Sequence, residues 1–228
     1  MRPFCINIPI YNEEAILVKN IERLIDFLDK LKTDYEIIIV SNGSTDKSIL
    51  LGEGLQDKHS RVKFFSLPKK GVGRAFRTAV EAAKYGHIIS LDADLSVDLS
   101  FIKEANTLLE NNVMVIGSKI MGSQKRSFMR KIGSGIYIYF TKLFFRVSLH
   151  DFSIGAKGFQ RGFVLKNIEA IDQHTSYVLN LAHAATREGE KVTEIPIKCI
   201  DLRRSRFNLL TEALYRFSML FKLALRKK

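Results

Sequence analysis

Two acidic side chains one residue apart, in Ser90-Leu91-Asp92-Ala93-Asp94-Leu95-Ser96, are the sharpest chemical feature of this sequence. They follow the apolar run His87 to Leu91, which reads as a short buried strand, so both carboxylates fall at a strand's carboxyl end. Open α/β sheets bind ligands along that edge. Hard carboxylate oxygens can hold Mg2+ or Mn2+ while the phosphate oxygens of a nucleotide fill the remaining positions, and Ser96 can add a third oxygen. Asp-x-Asp is also an ordinary helix cap or loop; its place at the strand end is what favours the ligand reading.

Two further polar segments follow strand-like runs. Tyr11-Asn12-Glu13-Glu14 comes after the first, Phe4 to Ile10, and Ser41-Asn42-Gly43-Ser44-Thr45-Asp46 after the second, Tyr35 to Val40. On a shared sheet edge these side chains can read a base and a ribose, and they serve equally well as turns and caps. Lys69-Lys70-Gly71-Val72-Gly73-Arg74-Ala75 has the glycines and positive charge of a phosphate cradle, or of a basic turn opening a helix. It lacks P-loop spacing and does not follow the first strand, which disfavours a nicotinamide enzyme. No Ser-His-Asp or Cys-His pairing stands out, and the five histidines show no metal-ligand spacing. Asp151 opens a Gly-rich turn, Asp151 to Gly158, where it can orient a nucleophile, act as a base or cap the turn.

These segments need a sheet to bring them together. Asn12 is the expected cap of a helix whose apolar stripe is Leu17, Ile21, Leu24, Ile25, Leu28 and Leu31. Strands are expected at Val62 to Leu67, His87 to Leu91 and Val113 to Gly117, with helices near 45–55, 73–85 and 98–111. Strand and helix in alternation mean a parallel α/β sheet with right-handed crossovers. After Gly117 the rhythm changes to a basic stretch, Lys119 to Lys131, and an aromatic one, Ile136 to Phe145. Helices near 160–169 and 175–188, a strand from Val192 to Ile200, and an amphipathic helix from about Asn208 complete the expectation.

Composition bounds the rest. The 228 residues are 46% hydrophobic and 26% charged, which excludes disorder and collagen-like structure. A formal net charge of +12 calls for an anionic partner: phosphorylated small molecules, acidic lipid or nucleic acid. Nucleic acid ranks last, because it leaves the acidic strand end unexplained and no aromatic-basic RNA motif is present. Cys5 and Cys199 sit in apolar runs far apart, as small core side chains of a reduced, cytoplasmic protein would. The N-terminus lacks a signal-peptide pattern. The segment Ile132 to Leu149 is interrupted by Gly133, Gly135, Lys142 and Arg146, so it reads as lying on a membrane surface rather than spanning it.

Taken in order, Ile8-Pro9-Ile10-Tyr11-Asn12-Glu13-Glu14, Gly43-Ser44-Thr45-Asp46, Gly71-Val72-Gly73-Arg74-Ala75, Asp92-Ala93-Asp94-Leu95-Ser96, Gly117-Ser118-Lys119, Asp151 to Arg161, Glu194-Ile195-Pro196-Ile197 and Arg203 to Arg206 resemble glycosyltransferase family 2. Within it they resemble the dolichyl-phosphate mannosyltransferase and glucosyltransferase branch, over nearly the whole chain. The resemblance implies a GT-A, Rossmann-like α/β fold with a mostly parallel central sheet flanked by helices. It implies inverting, metal-dependent transfer of a hexose, mannose favoured, from a nucleoside diphosphate sugar to a polyprenyl (dolichyl) phosphate. GDP-mannose is the favoured donor and UDP-glucose the alternative. Pro9, Tyr11, Glu13, Val40 and Asn42 would surround the nucleoside, and Asp92, Asp94 and Ser96 would hold Mg2+ or Mn2+ and the diphosphate. Lys119, Arg203 and Arg206 would add charge, Ala93 and Lys157 would complete the substrate contacts, and Asp151 would be a positioner or a base.

The sequence departs from the family at Ser41-Asn42, where two aspartates are usual; asparagine donates as well as accepts, which opens the base and ribose preference. Asn180 stands where relatives often carry glutamate, and the C-terminal basic motif is short. One GT-A domain is expected over 1–228, with a nucleotide-sugar half at 1–118, an acceptor half at 119–207 and an amphipathic helix at 208–228. With no membrane anchor following, attachment to the cytoplasmic face would be peripheral, through Lys125 to Arg146 and an anionic surface, or through a membrane-protein partner. The C-terminal helix can share that role or simply pack on the sheet. Competing readings are transfer to a soluble glycan and a catalytically impaired sugar-nucleotide-binding protein, and the intact Asp92-Ala93-Asp94 argues against the latter.

Overall fold

A computed structural model describes residues 1–119, 138–145, 147, 149–152, 154–198, 215, 218 and 220. In chain order they form β1 (Phe4–Ile10), α1 (Leu17–Asp29), β2 (Tyr35–Asn42), α2 (Ser48–Lys58), β3 (Val62–Leu67), α3 (Val72–Ala82), β4 (His87–Ser90), α4 (Ser100–Leu108) and β5 (Met114–Ser118). Helical residues 138–145 (α5), β6 (Lys157–Gln160), α6 (Arg161–Lys166), a 3-10 turn at Ile168–Ala170, α7 (Tyr177–Glu188) and β7 (Val192–Pro196) follow. The strands make one seven-stranded sheet in the order β3-β2-β1-β4-β6-β5-β7. All neighbours run parallel except β6, which is antiparallel to both β4 and β5.

β1 and β2 are near-continuous apolar runs because helices cover the sheet on both sides. The pleat shows this at β6. Gly158 leaves room for Leu109 and Ala105 beside α4, while the next residue, Phe159, turns to the opposite face against Phe76 of α3. Phe76 also stacks on Tyr177 of α7, at 4.7 Å between ring centroids. On α1 the expected stripe is buried at Leu17, Ile21, Leu24 and Leu28, each worth about 1.5–3 kcal/mol relative to exposure.

Three local expectations differ from the structure. Asn12 does not cap α1, which starts at Leu17; Asn12 takes a left-handed backbone, φ 56°, and its Oδ1 accepts the Thr45 N–H at 2.7 Å. Strand β6 occupies the end of what the sequence reads as a Gly-rich turn, since four residues held between β4 and β5 need no periodic signal of their own. Cys5 is buried but not merely a core filler: its thiol donates to Glu36 Oε1 at 2.7 Å. Burial first, then that carboxylate, pushes the thiol up to about 12.

Tyr215, Ser218 and Leu220 are helical; Leu220 is buried and the Tyr215 hydroxyl donates to Asp172 Oδ2 at 2.5 Å. At Leu220 and Tyr215 the chain packs on the fold. Cys199, Arg203 and Arg206 lie outside the described residues, as does most of Lys125 to Arg146. Among the described residues no helix is long and apolar enough to cross a membrane.

Candidate active site

Strand register brings the chemical segments to one edge. Ile10 lies opposite Ser41, and Asn42 opposite Leu67, so the Tyr11 turn, the Asn42 turn and the Lys69–Gly71 loop leave neighbouring strand ends. Ser90 lies opposite Lys157, and Ile116 opposite the same lysine. Because β6 is antiparallel, its entry loop, not its exit, meets Asp92 and Lys119 at the carboxyl ends of β4 and β5.

The first two turns are laced together. Asn12 N–H donates to Ser44 Oγ (3.1 Å), Glu13 N–H to Ser48 Oγ (2.8 Å), Glu14 N–H to Asp46 Oδ2 (3.2 Å), and Lys47 N–H to Glu14 Oε2 (2.9 Å). Burial acts to raise the Asp46 carboxyl, but the Ser48 hydroxyl and the backbone N–H groups outweigh it and hold the acid below its usual range. Much of the polar character of these segments is thus spent on each other, as the turn reading expects. Pro9 and Tyr11 are half-buried beside them, and Val40 is fully buried in β2.

Asn42, 7% exposed, accepts the Gly71 N–H on Oδ1. Gly43, at φ +75°, lies so close beneath that loop that a Cβ there would stand 2.8 Å from the Lys70 nitrogen. The loop is also closed by the Arg74 guanidinium on the Lys70 carbonyl (2.6 Å), and the Lys70 ammonium sits 3.9 Å from the centre of the Tyr11 ring. The Gly71–Gly73 segment is thus a basic turn opening α3, packed against the residues expected at the nucleoside.

Asp92 to Leu95 form a tight turn, with Leu95 N–H on the Asp92 carbonyl (3.0 Å) and Ser96 N–H on Asp94 Oδ1 (3.0 Å). Leu95 is buried at φ 47°, a left-handed backbone that costs a non-glycine residue about 1–2 kcal/mol. Asn20 of α1 holds the turn by donating to the Ala93 carbonyl at 2.8 Å. Asp92 is exposed, Asp94 and Ser96 half-buried, and Ala93 buried. Gly155 passes directly under Asp92: a Cβ there would overlap the carboxylate. The sequence places Gly155 in a Gly-rich turn but not beneath Asp92, and does not single out Asn20, because a close approach between distant loops leaves no local pattern.

Asp151 is buried at 3% exposure, and its Oδ2 accepts the Lys119 N–H at 3.3 Å. Lys157 is buried too, its ammonium on the Ile154 carbonyl, where it braces the same loop. Asn180 of α7 donates to the Ala170 carbonyl at 2.8 Å. Carboxylate oxygens are the donor type that Mg2+ or Mn2+ takes. Asp92 and Asp94 are the carboxylates of the Asp92–Leu95 turn that could contribute to such a site, while among the described residues no group of three or more His, Cys, Asp or Glu could hold a metal ion. Such an ion shares its coordination with phosphates.

The sheet and its flanking helices have the GT-A fold. Glucosyl-3-phosphoglycerate synthase from Mycobacterium tuberculosis, with Mn2+ and UDP-glucose, superposes with a TM-score of 0.69 at 16% identity, over 98% of this chain and 79% of that one. The mannosyltransferase PcManGT from Pyrobaculum calidifontis, with GDP-Man and Mn2+, gives 0.64 at 17%, over 99% and 64%. The model of Glycosyl transferase family 2 matches residues 5–167, and the chain belongs to that family. Relatives include a dolichyl-phosphate beta-glucosyltransferase of Trichomonas vaginalis (27% identical, 89% of this chain and 67% of that protein). An undecaprenyl-phosphate 4-deoxy-4-formamido-L-arabinose transferase of Pseudomonas fluorescens (28%, 86% and 58%) and the glycosyltransferase AglD of Haloferax volcanii (26%, 83% and 32%) are also similar. The chain spans about a third to two thirds of the length of these relatives.

Proposed function

We propose that this chain transfers a hexose, mannose favoured and glucose the alternative, from a nucleoside diphosphate sugar to a polyprenyl phosphate, with inversion at the anomeric carbon. The observation that carries the reading is the meeting of the Asp92–Asp94 turn with the Tyr11, Asn42 and Lys119–Asp151 segments on one sheet edge. The likeness to polyprenyl-phosphate sugar transferases supports the acceptor.

In this reading Pro9, Tyr11, Glu13, Val40 and Asn42 surround the nucleoside, while Asp92, Asp94 and Ser96 would hold the divalent ion and the diphosphate. When bound, that ion supplies electrophilic stabilisation of the departing diphosphate. The bond from the anomeric carbon to the donor phosphate breaks as one to an acceptor phosphate oxygen forms. A phosphate ester is already ionised at neutral pH, so no strong base is required. Asp151 then orients the acceptor, and Lys119, with Arg203 and Arg206, offsets phosphate charge.

On α5 the exposed Tyr139 (63%) and Leu143 (58%) flank the exposed Lys142, and Phe140 and Phe144 stack behind them. Apolar side chains beside a cation suit an anionic lipid surface, which would deliver the acceptor.

Radiolabelled GDP-mannose and UDP-glucose, each assayed with polyprenyl phosphate with and without Mn2+, test the reading. Lipid-linked product is expected, falling about 100-fold or more in Asp94→Ala. Undiminished transfer by that variant overturns the metal assignment.

A further inference from the structure

Glu194 belongs to a segment singled out in the sequence, Glu194-Ile195-Pro196-Ile197, for which the transfer chemistry above has no use. In the structure it lies on β7, opposite Ile116 of β5, with its side chain only 7% exposed. One oxygen, Oε1, accepts two consecutive backbone N–H groups, those of His150 (2.8 Å) and Asp151 (3.0 Å). The other, Oε2, is 2.7 Å from His150 Nδ1. A carboxylate gripping adjacent N–H groups fixes the peptide plane between them, and with it the direction in which the Asp151 side chain leaves the backbone.

Asp151 is then held from a second side. Its Oδ2 accepts the N–H of Lys119, the residue after β5, and Ser118 at the end of that strand accepts the Ile197 N–H at 3.2 Å. The β5–β7 pair thus holds both the backbone and the carboxylate of Asp151, ahead of the point where the loop reaches Gly155 beneath Asp92. We propose that Glu194 is a positioning residue: its carboxylate clamps the His150–Asp151 backbone so that Asp151 faces the acceptor in the reactive geometry. The inference rests on the transferase reading and assigns Glu194 no contact with substrate.

The test combines single and double variants with full kinetics. Glu194→Ala should lower kcat by about 10- to 100-fold, the scale of a reacting group displaced by roughly an ångström. Donor affinity, measured by calorimetry with Mn2+, should stay near the wild-type value. Glu194→Gln keeps an oxygen for both N–H groups and offers an amide to the unprotonated Nδ1 of the other histidine tautomer, so it should recover most of kcat. His150→Ala removes the ring contact and leaves the backbone clamp, so it should lose little. The decisive comparison is Glu194→Ala placed in Asp151→Ala, which should cost nothing further. Thermal melts on all variants separate this from general loosening. If the two losses multiply, or if Glu194→Gln is as poor as Glu194→Ala, Glu194 does not act through Asp151. Wild-type protein that transfers sugar to no polyprenyl phosphate would instead overturn the transferase reading, and this inference with it.

Discussion

Gly155 shows how one residue can govern an acid to which it is not bonded. The space a side chain would need there is filled by the Asp92 carboxylate, so Gly155→Ala has to push that carboxylate aside. Because the displaced atoms are the end of an exposed side chain, the fold should survive: the melting temperature stays near wild type while Mn2+-dependent turnover falls at least about 10-fold. Turnover equal to wild type would mean that Asp92 works equally well from another rotamer. Asp92 and Asp94 were legible in the sequence as candidate acids, because they stand at the end of a recognisable strand. What shapes them was not: Gly155, Asn20 and the left-handed Leu95 act through distant contacts and backbone geometry, and none of these leaves a spacing to read.

The strands and helices of the amino-terminal half were legible because a parallel sheet covered on both faces writes itself as apolar runs separated by helical stripes. The short antiparallel β6 was not, since pairing on both edges, rather than its own residues, makes Lys157–Gln160 a strand. The opposite sheet end holds a buried polar knot that the apolar pattern also hid. Glu36 of β2 accepts from the Cys5 thiol, pairs with Lys63 of β3 at 2.7 Å and accepts the Lys84 N–H. Burial would raise the Glu36 carboxyl, yet these donors together bring it below the ordinary glutamate value of 4.5. Its ionised form is therefore favoured by folding. The stability it adds is present above 4.5 and is lost as pH falls through the lower folded value. Glu36→Gln should cost about 2 kcal/mol at neutral pH, and denaturant titrations of variant and wild type should converge as pH falls below 4.5. A gap that stays constant with pH would assign the cost to packing instead.

For the molecule as a whole, the +12 charge gains a direction only when set beside the apolar surface of α5. If that helix meets anionic lipid, flotation with phosphatidylserine-containing vesicles should carry the wild-type protein, and Tyr139→Ser with Leu143→Ser should weaken binding about 10-fold, as loss of apolar burial alone would give. Equal flotation would leave the attraction to charge. Leu220 and Tyr215 are already engaged with the fold and are not available to that surface. The sheet order has an outcome of its own during synthesis. β3, β2, β1 and β4 can assemble as soon as they emerge, but the outer side of β4 and both sides of β5 find their partners only in β6 and β7. Until the ribosome has added residue 160, a growing chain carries one strand margin bare and another strand wholly unpaired. Nascent chains of that length are where a chaperone, or aggregation, would find this protein.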